Sequence, residues 1–248
     1  MKYAAALCCA LLMATPAMAK DLNFVGQEYP PFNWNEGGEV KGGMVDVLKK
    51  ACEKLKYNCK FGIVPLARAI QMLEDGSADG VMSLIPNADR AKFANFSPTI
   101  VLSSLSYFGV KGKTQKVSSL NDLEGWTVGA VRASSSLKLA VANQKQLKNM
   151  TVVEEVNNET LIKKLQGARY GDKGAIIGGD AVLEFEAKKV KLDLDLILGG
   201  EAQGFTTAFS KKSVDAATFA ELTKTLEGMK KSGEVKAILE KFSLKTDL

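Results

Sequence analysis

Histidine is absent from all 248 positions. That absence excludes Ser-His and Cys-His nucleophilic dyads and removes the commonest transition-metal ligand. Cysteine is scarce too: Cys8 and Cys9 lie in the apolar amino terminus, which leaves only Cys52 and Cys59, seven residues apart. With no second pair and no histidine, they cannot complete a zinc site, so neither a metal nor a cofactor is expected. Beyond the amino terminus no stretch approaches the roughly 20 apolar residues of a membrane span. No window gathers Lys and Arg with interleaved aromatics either, so nucleic acid is not an expected partner. The lysine pairs Lys188-Lys189 and Lys211-Lys212 read as solvated faces.

Lys2, the apolar run from Ala4 to Ala14 and the small residues Ala17-Met18-Ala19 have the three regions of a secretory signal. Cleavage is expected after Ala19, with residues 1–19 removed and a soluble product exported to the periplasm. A lipoprotein cut before Cys8 or Cys9 would leave too short an apolar region. Processing takes away Lys2 alone and lowers the formal charge from +5 to +4. In an oxidising compartment Cys52 and Cys59 read as a disulfide, with two free buried thiols as the alternative. The 229 residues that remain suit one large domain or, better, two lobes of about 100 residues each.

The most informative stretch runs from Pro65 to Pro98. Leu66, Ile70 and Leu73 recur at helical spacing until Gly76 stops the pattern. The apolar run Gly80 to Ile85 follows as a strand, and Pro86-Asn87 ends it, placing Asp89 and Arg90 on a polar loop beyond the strand's carboxyl end. In open α/β sheets that edge is where ligands bind. Arg68 is a second basic candidate at the start of the helix, where the dipole does not favour a cation. Either a ligand carboxylate or a surface ion pair accounts for it.

Leu73, Gly76, Asp79, the strand with Ser83, Arg90 and Phe96-Ser97-Pro98 together resemble the first-lobe signature of the family 3 periplasmic solute-binding proteins, the polar amino-acid receptors of ABC importers. The resemblance implies that Arg90 clamps a ligand carboxylate. It lies eleven residues after Asp79, one fewer than in the family's amino-acid binders, which admits an amino acid analogue or another small carboxylate. Further along, Gly42-Gly43-Met44-Val45-Asp46 matches the entry to the family's first helix, whose apolar stripe here is Met44, Val47, Leu48, Ala51 and Leu55.

The resemblance spans nearly all of the chain after the signal. It implies a two-lobed α/β fold of the type II periplasmic-binding-protein kind, each lobe a mixed sheet flanked by helices, joined by two crossing segments. Residues 20–109 with 205–248 are expected to form the first lobe and 110–204 the second, with crossings near Lys111–Gln115 and Gly199–Gly204. Tyr29, in a loop stiffened by Pro30 and Pro31, matches the position whose ring packs over the bound amino acid, whereas Phe32 and Trp34 are expected to close the lobe's core. Strand Thr127 to Val131 delivers Ser134 and Ser135 to a helix start, a ready anion site. One serine is expected to cap the helix and its neighbour to contact ligand. A second helix, glycine, strand and polar residue then repeats the order of the first lobe and ends on Asp180, which matches the family's acceptor for the ligand ammonium and also reads as a helix N-cap.

These features imply a binding protein that closes on a small polar ligand, acts as a monomer and hands the ligand to an ABC permease. The competing class is an enzyme on the same scaffold, since cyclohexadienyl and arogenate dehydratases resemble these receptors. No acid-base set beyond the zwitterion clamp supports it. A sensor acting through a separate partner is a third reading.

Overall fold

A computed structural model describes residues 20–115 and 117–246, so the expected signal lies outside the described residues. The chain opens with β1 (Asp21–Gly26), a hairpin of β2 (Trp34–Glu36) and β3 (Glu39–Lys41), helix α1 (Gly43–Leu55), β4 (Asn58–Ile63), α2 (Leu66–Asp75), β5 (Gly80–Leu84), the short α3 (Ala88–Ala91) and β6 (Ala94–Phe96). The long β7 (Val101–Val110) leads to β8 (Thr127–Val131), α4 (Ser135–Gln144), β9 (Thr151–Glu155), α5 (Asn158–Gln166), β10 (Gly174–Gly179), α6 (Asp180–Lys189) and β11 (Leu194–Leu198). A return strand β12 (Ala202–Ser210) and helices α7 (Ala216–Lys231) and α8 (Glu234–Glu240) complete the described chain.

The sheet order β4-β1-β5-β12-β7-β10-β8-β9, with β6 beside β12 and β11 beside β7, repeats one plan twice. In the first half β4, β1 and β5 are parallel and β12 runs against β5; in the second β9, β8 and β10 are parallel and β7 runs against β10. The internal echo in the sequence is therefore an echo of topology. The sheet pairing puts the crossings inside strands. β7 pairs with β12 through Val101–Ser104 and then with β10 from Leu105, while β12 pairs with β7 through Ala202–Phe205 and then with β5 and β6. Lys111–Gln115 thus follows the change of partner, and Ala202–Gly204 is strand rather than loose linker. Two crossing segments that pair with each other satisfy each other's backbone groups.

The expected stripe on α1 buries Met44, Val47, Leu48 and Ala51 against Leu222, Leu226 and Met229 of α7 and Val235 and Leu239 of α8. Entry to α1 demands glycine at 42: its φ is 132°, and a Cβ there would lie 2.2 Å from the Phe32 carbonyl oxygen. Cys52 and Cys59 form the expected disulfide between α1 and β4, with their Cα atoms 6.3 Å apart. The second half has its own cores, one around Trp126, Val128 and Ile177 and another around Leu161, Ile176 and Leu183. Among the described residues no helix is long and apolar enough to cross a membrane.

Candidate functional site

The carboxyl ends of the parallel strands from both halves meet at one cavity. Gln27 and Tyr29 follow β1, Leu66 follows β4, Ser83, Ile85 and Arg90 come from the end of β5, Ser134–Ser136 follow β8 and Asn158 follows β9. Leu105 and Phe205 of the crossing strands complete the lining. This is the sheet edge at which the sequence places a ligand. The space open to water centres is about 30 Å³, enough for two or three waters at about 10–15 Å³ each. Side-chain bonds between the two halves cross beside it.

Arg90 joins them. It stands on α3, a helical turn rather than an open loop, because the Asn87 side chain accepts from the Arg90 backbone N–H at 3.0 Å and caps it. The side chain is 4% exposed, donating from Nη1 to the Ile85 carbonyl at 2.7 Å and from Nη2 across the cavity to the Ala133 carbonyl at 3.0 Å. Burial pulls its pKa down to about 10, against the attraction of Asp89. Asp89 itself pairs with Lys138 of the second half at 2.6 Å and Lys92 at 3.3 Å, and among the described residues Arg90 has no carboxylate salt-bridge partner. A buried cation in that condition favours an anion in the cavity beside it.

Two strained backbone positions, one within β5 and one in the turn after β8, flank the guanidinium. Ser83 and Ala133 have φ of 57° and 62°, a left-handed conformation that costs a non-glycine residue roughly 1–2 kcal/mol. The Ser83 hydroxyl donates to Asn33 Oδ1, and Asn33 Nδ2 donates to the Gln27 carbonyl at 2.7 Å, so the Ser83 oxygen is left as an acceptor. Opposite, Ser134 caps α4 by accepting from the Leu137 N–H at 3.0 Å and lies 2.7 Å from the buried Ser136 hydroxyl, while Ser135 begins the helix. One serine caps and its neighbours line the cavity.

Tyr29 is buried, with its ring 5.0 Å from Phe32 and 5.8 Å from Phe205. Its hydroxyl rests on the Gly179 backbone so closely that a Cβ on Gly179 would come within 2.5 Å of it. Asp180 is half-buried and does not line the cavity. It is the first residue of α6, the cap position belongs to Gly179, and no side-chain cap bond forms, so the N-cap role does not hold. Burial raises the Asp180 carboxyl pKa, a hydrogen bond from Ser106 opposes the rise, and Oδ1 is buried with no partner. Arg68 is exposed on α2, away from the lining. Phe32 is core, but Trp34 is only half-buried and lies 5.8 Å from Phe185 of the second half, so it bridges the halves instead of closing one.

Sequence reasoning missed Asn33, Ser136 and Asn158. The Asn157-Asn158 pair after β9 was the available signal: one asparagine caps α5, which leaves the other without a structural task. Among the described residues no group of three or more Cys, Asp or Glu side chains could hold a metal ion.

Residues 24–245 match the family model of the bacterial extracellular solute-binding proteins, family 3. The chain belongs to that family. As a family 3 protein it is 24% identical over 221 residues to the probable amino-acid-binding protein YxeM of Bacillus subtilis (strain 168), an alignment covering 88% of this chain and 81% of that one. Its fold is that of an ancestral arginine-binding protein bound to arginine, with a TM-score of 0.81, 23% identity, and 91% and 99% of the two chains covered. It is also that of an ancestral amino acid-binding protein described as a precursor of cyclohexadienyl dehydratase, with a TM-score of 0.77, 20% identity, and 90% and 94% covered.

Proposed function

We propose that this family 3 protein is a periplasmic receptor, monomeric, that closes on an amino acid or a related small carboxylate and presents it to an ABC permease in the inner membrane. The observation that carries the proposal is Arg90, a buried guanidinium between the two halves with no carboxylate pair among the described residues. A ligand carboxylate supplies that charge through a planar two-bond fork. The amides and hydroxyls at the start of α4 add donors from the other half. A ligand that touches both halves binds the closed form better than the open one, which is what ligand-driven closure requires. Where the ligand is an amino acid, the Ser83 oxygen is assigned to its ammonium, and Asp180, next to the Gly179 on which the Tyr29 hydroxyl rests, supplies negative charge from behind the lining. Arg68 has no part in the proposal.

A thermal-shift screen of amino acids and small carboxylates identifies the ligand, and calorimetry on Arg90→Ala tests the anchor. The expected loss is about 2 to 5 kcal/mol of binding free energy, because the ligand carboxylate is left unpaired in a closed cleft. Near-native affinity would remove Arg90 from the site.

The half-buried Asp180 carboxyl favours a second reading, since burial raises its pKa and so makes it a readier proton donor than an ordinary carboxyl, and a dehydratase needs an acid. Among the described residues, however, the cavity lining contains no carboxyl group, and Asp180 itself lies outside it. Prephenate and arogenate incubated with the purified protein are expected to be recovered unchanged. Loss of water and carbon dioxide at an enzyme-like rate would replace the receptor with an enzyme.

A further inference from the structure

We infer that Asn158 donates a hydrogen bond to a second oxygen of the ligand, so that the site selects a small carboxylate bearing a further carboxylate or amide oxygen over a basic or purely apolar amino acid. The inference rests on the proposal that Arg90 holds the first carboxylate, and it adds the class of the remaining group.

Asn158 is the first residue of α5, but the helix does not use its side chain. Capping is done by Asn157, whose Oδ1 accepts from the Thr160 N–H at 2.8 Å. Asn158 is 3% exposed, lines the same cavity as Arg90, and its Nδ2 is shielded from solvent with no hydrogen-bond partner. A buried amide N–H without an acceptor is a rare and unfavourable arrangement in a folded protein, and one that lines a ligand cavity is relieved when the ligand brings the acceptor. The amino end of α5 adds the positive end of a nine-residue helix at the same spot, which favours an oxygen with negative charge over a cationic group.

Charge around the cavity points the same way. Among the described residues Arg90 is the only charged side chain of the lining. The nearest acids in sequence are both engaged: Glu159, next to Asn158, pairs with Lys163 on the exposed face of α5, and Glu155 at the end of β9 accepts from Lys164 Nζ on its two oxygens at 2.6 and 2.8 Å and from the Tyr170 hydroxyl at 3.1 Å. Asp180 lies outside the lining. A ligand guanidinium or second ammonium would therefore enter a buried site with no carboxylate to meet it.

Titration calorimetry on the signal-free chain, with L-asparagine, L-aspartate, L-leucine and L-arginine as probes, tests the inference. L-leucine has nearly the shape of L-asparagine without its oxygen, and a site built to bond an oxygen rejects such an analogue strongly. The expected result is that L-asparagine or L-aspartate binds at least about tenfold more tightly than L-leucine or L-arginine. Asn158→Leu should bring the first ratio to within about threefold, and Asn158→Asp should weaken L-aspartate more than L-asparagine. A wild-type preference for L-leucine or L-arginine overturns the inference, and so does an unchanged ratio in both variants. If those ligands bind and Arg90→Ala abolishes their binding, the carboxylate anchor survives and only the role of Asn158 falls. If none of the four probes nor succinate binds the wild type, both fall together.

Discussion

At the scale of single residues, the site holds two charges that folding has made uncomfortable, Arg90 and Asp180. Burial is the first cause in each, lowering the one pKa and raising the other. For Asp180 the consequence has a definite sign. A carboxyl whose folded pKa lies above its ordinary value of 3.8 binds its proton more tightly folded than unfolded, so ligand-free stability is lost as pH rises through the window between the two values. Asp180→Asn removes that loss. Thermal melts of the ligand-free variant should lie above wild type near neutral pH and converge with it below about pH 3.5; equal melting temperatures at both ends would show that Asp180 carries no such penalty. Tyr29, Arg90, Ser134 and Ser135 were legible in the sequence because each follows a short apolar strand in a polar or aromatic loop, and Ser83 because it is the one hydroxyl within such a strand. Asn33 and Asn158 were not. The partner of Asn33 is Ser83, fifty residues away, and the importance of Asn158 lies in a bond it does not make. The left-handed conformations at Ser83 and Ala133 escaped as well, since neither residue is the glycine that usually announces one.

At the scale of elements, hydrophobic spacing and end signals carried most of the reading. Gly76, with φ of 83°, ends α2 where the sequence stops it. The misreadings came from tertiary partners. Gly199-Gly200 and Gly204 suggest slack chain, yet the first three residues of β12 are held straight by Ser104, Ser103 and Leu102 on β7. Pro86-Asn87 suggests an open loop, yet the Asn87 side chain turns it into a helix. The covalent tie is the clearest prediction at this scale. Closing so short a loop between α1 and β4 should stabilise the protein by roughly 2–3 kcal/mol. Denaturant melts of Cys52→Ser/Cys59→Ser should show that loss, with ligand affinity unchanged because neither cysteine lines the cavity. A matching stability in the double variant would mean the bond constrains nothing the fold has not already fixed.

For the whole molecule, the contacts that hold the halves together differ in weight. Asp89 and Lys138 are both more than half exposed, so their ion pair contributes at most about 1 kcal/mol and fades with salt. The buried bond from Arg90 to the Ala133 carbonyl is screened much less. The paired crossing strands have a different consequence, one of architecture. Ser104 and Ala202 are opposite each other in a single antiparallel ladder, so the chain leaves and re-enters the first half at neighbouring points, about 4.8 Å apart across the strands. The second half is a guest spliced into one hairpin of a host. Replacing residues 105–201 with an Asn-Gly turn should restore that hairpin, and the shortened chain should melt cooperatively with its disulfide intact. A broad or absent transition would show that Leu105 and Val182, the buried side chains the guest adds to the host's core, are indispensable to it. If the host stands alone, the same junction is a place where a reporter domain could be inserted and made to feel the hinge.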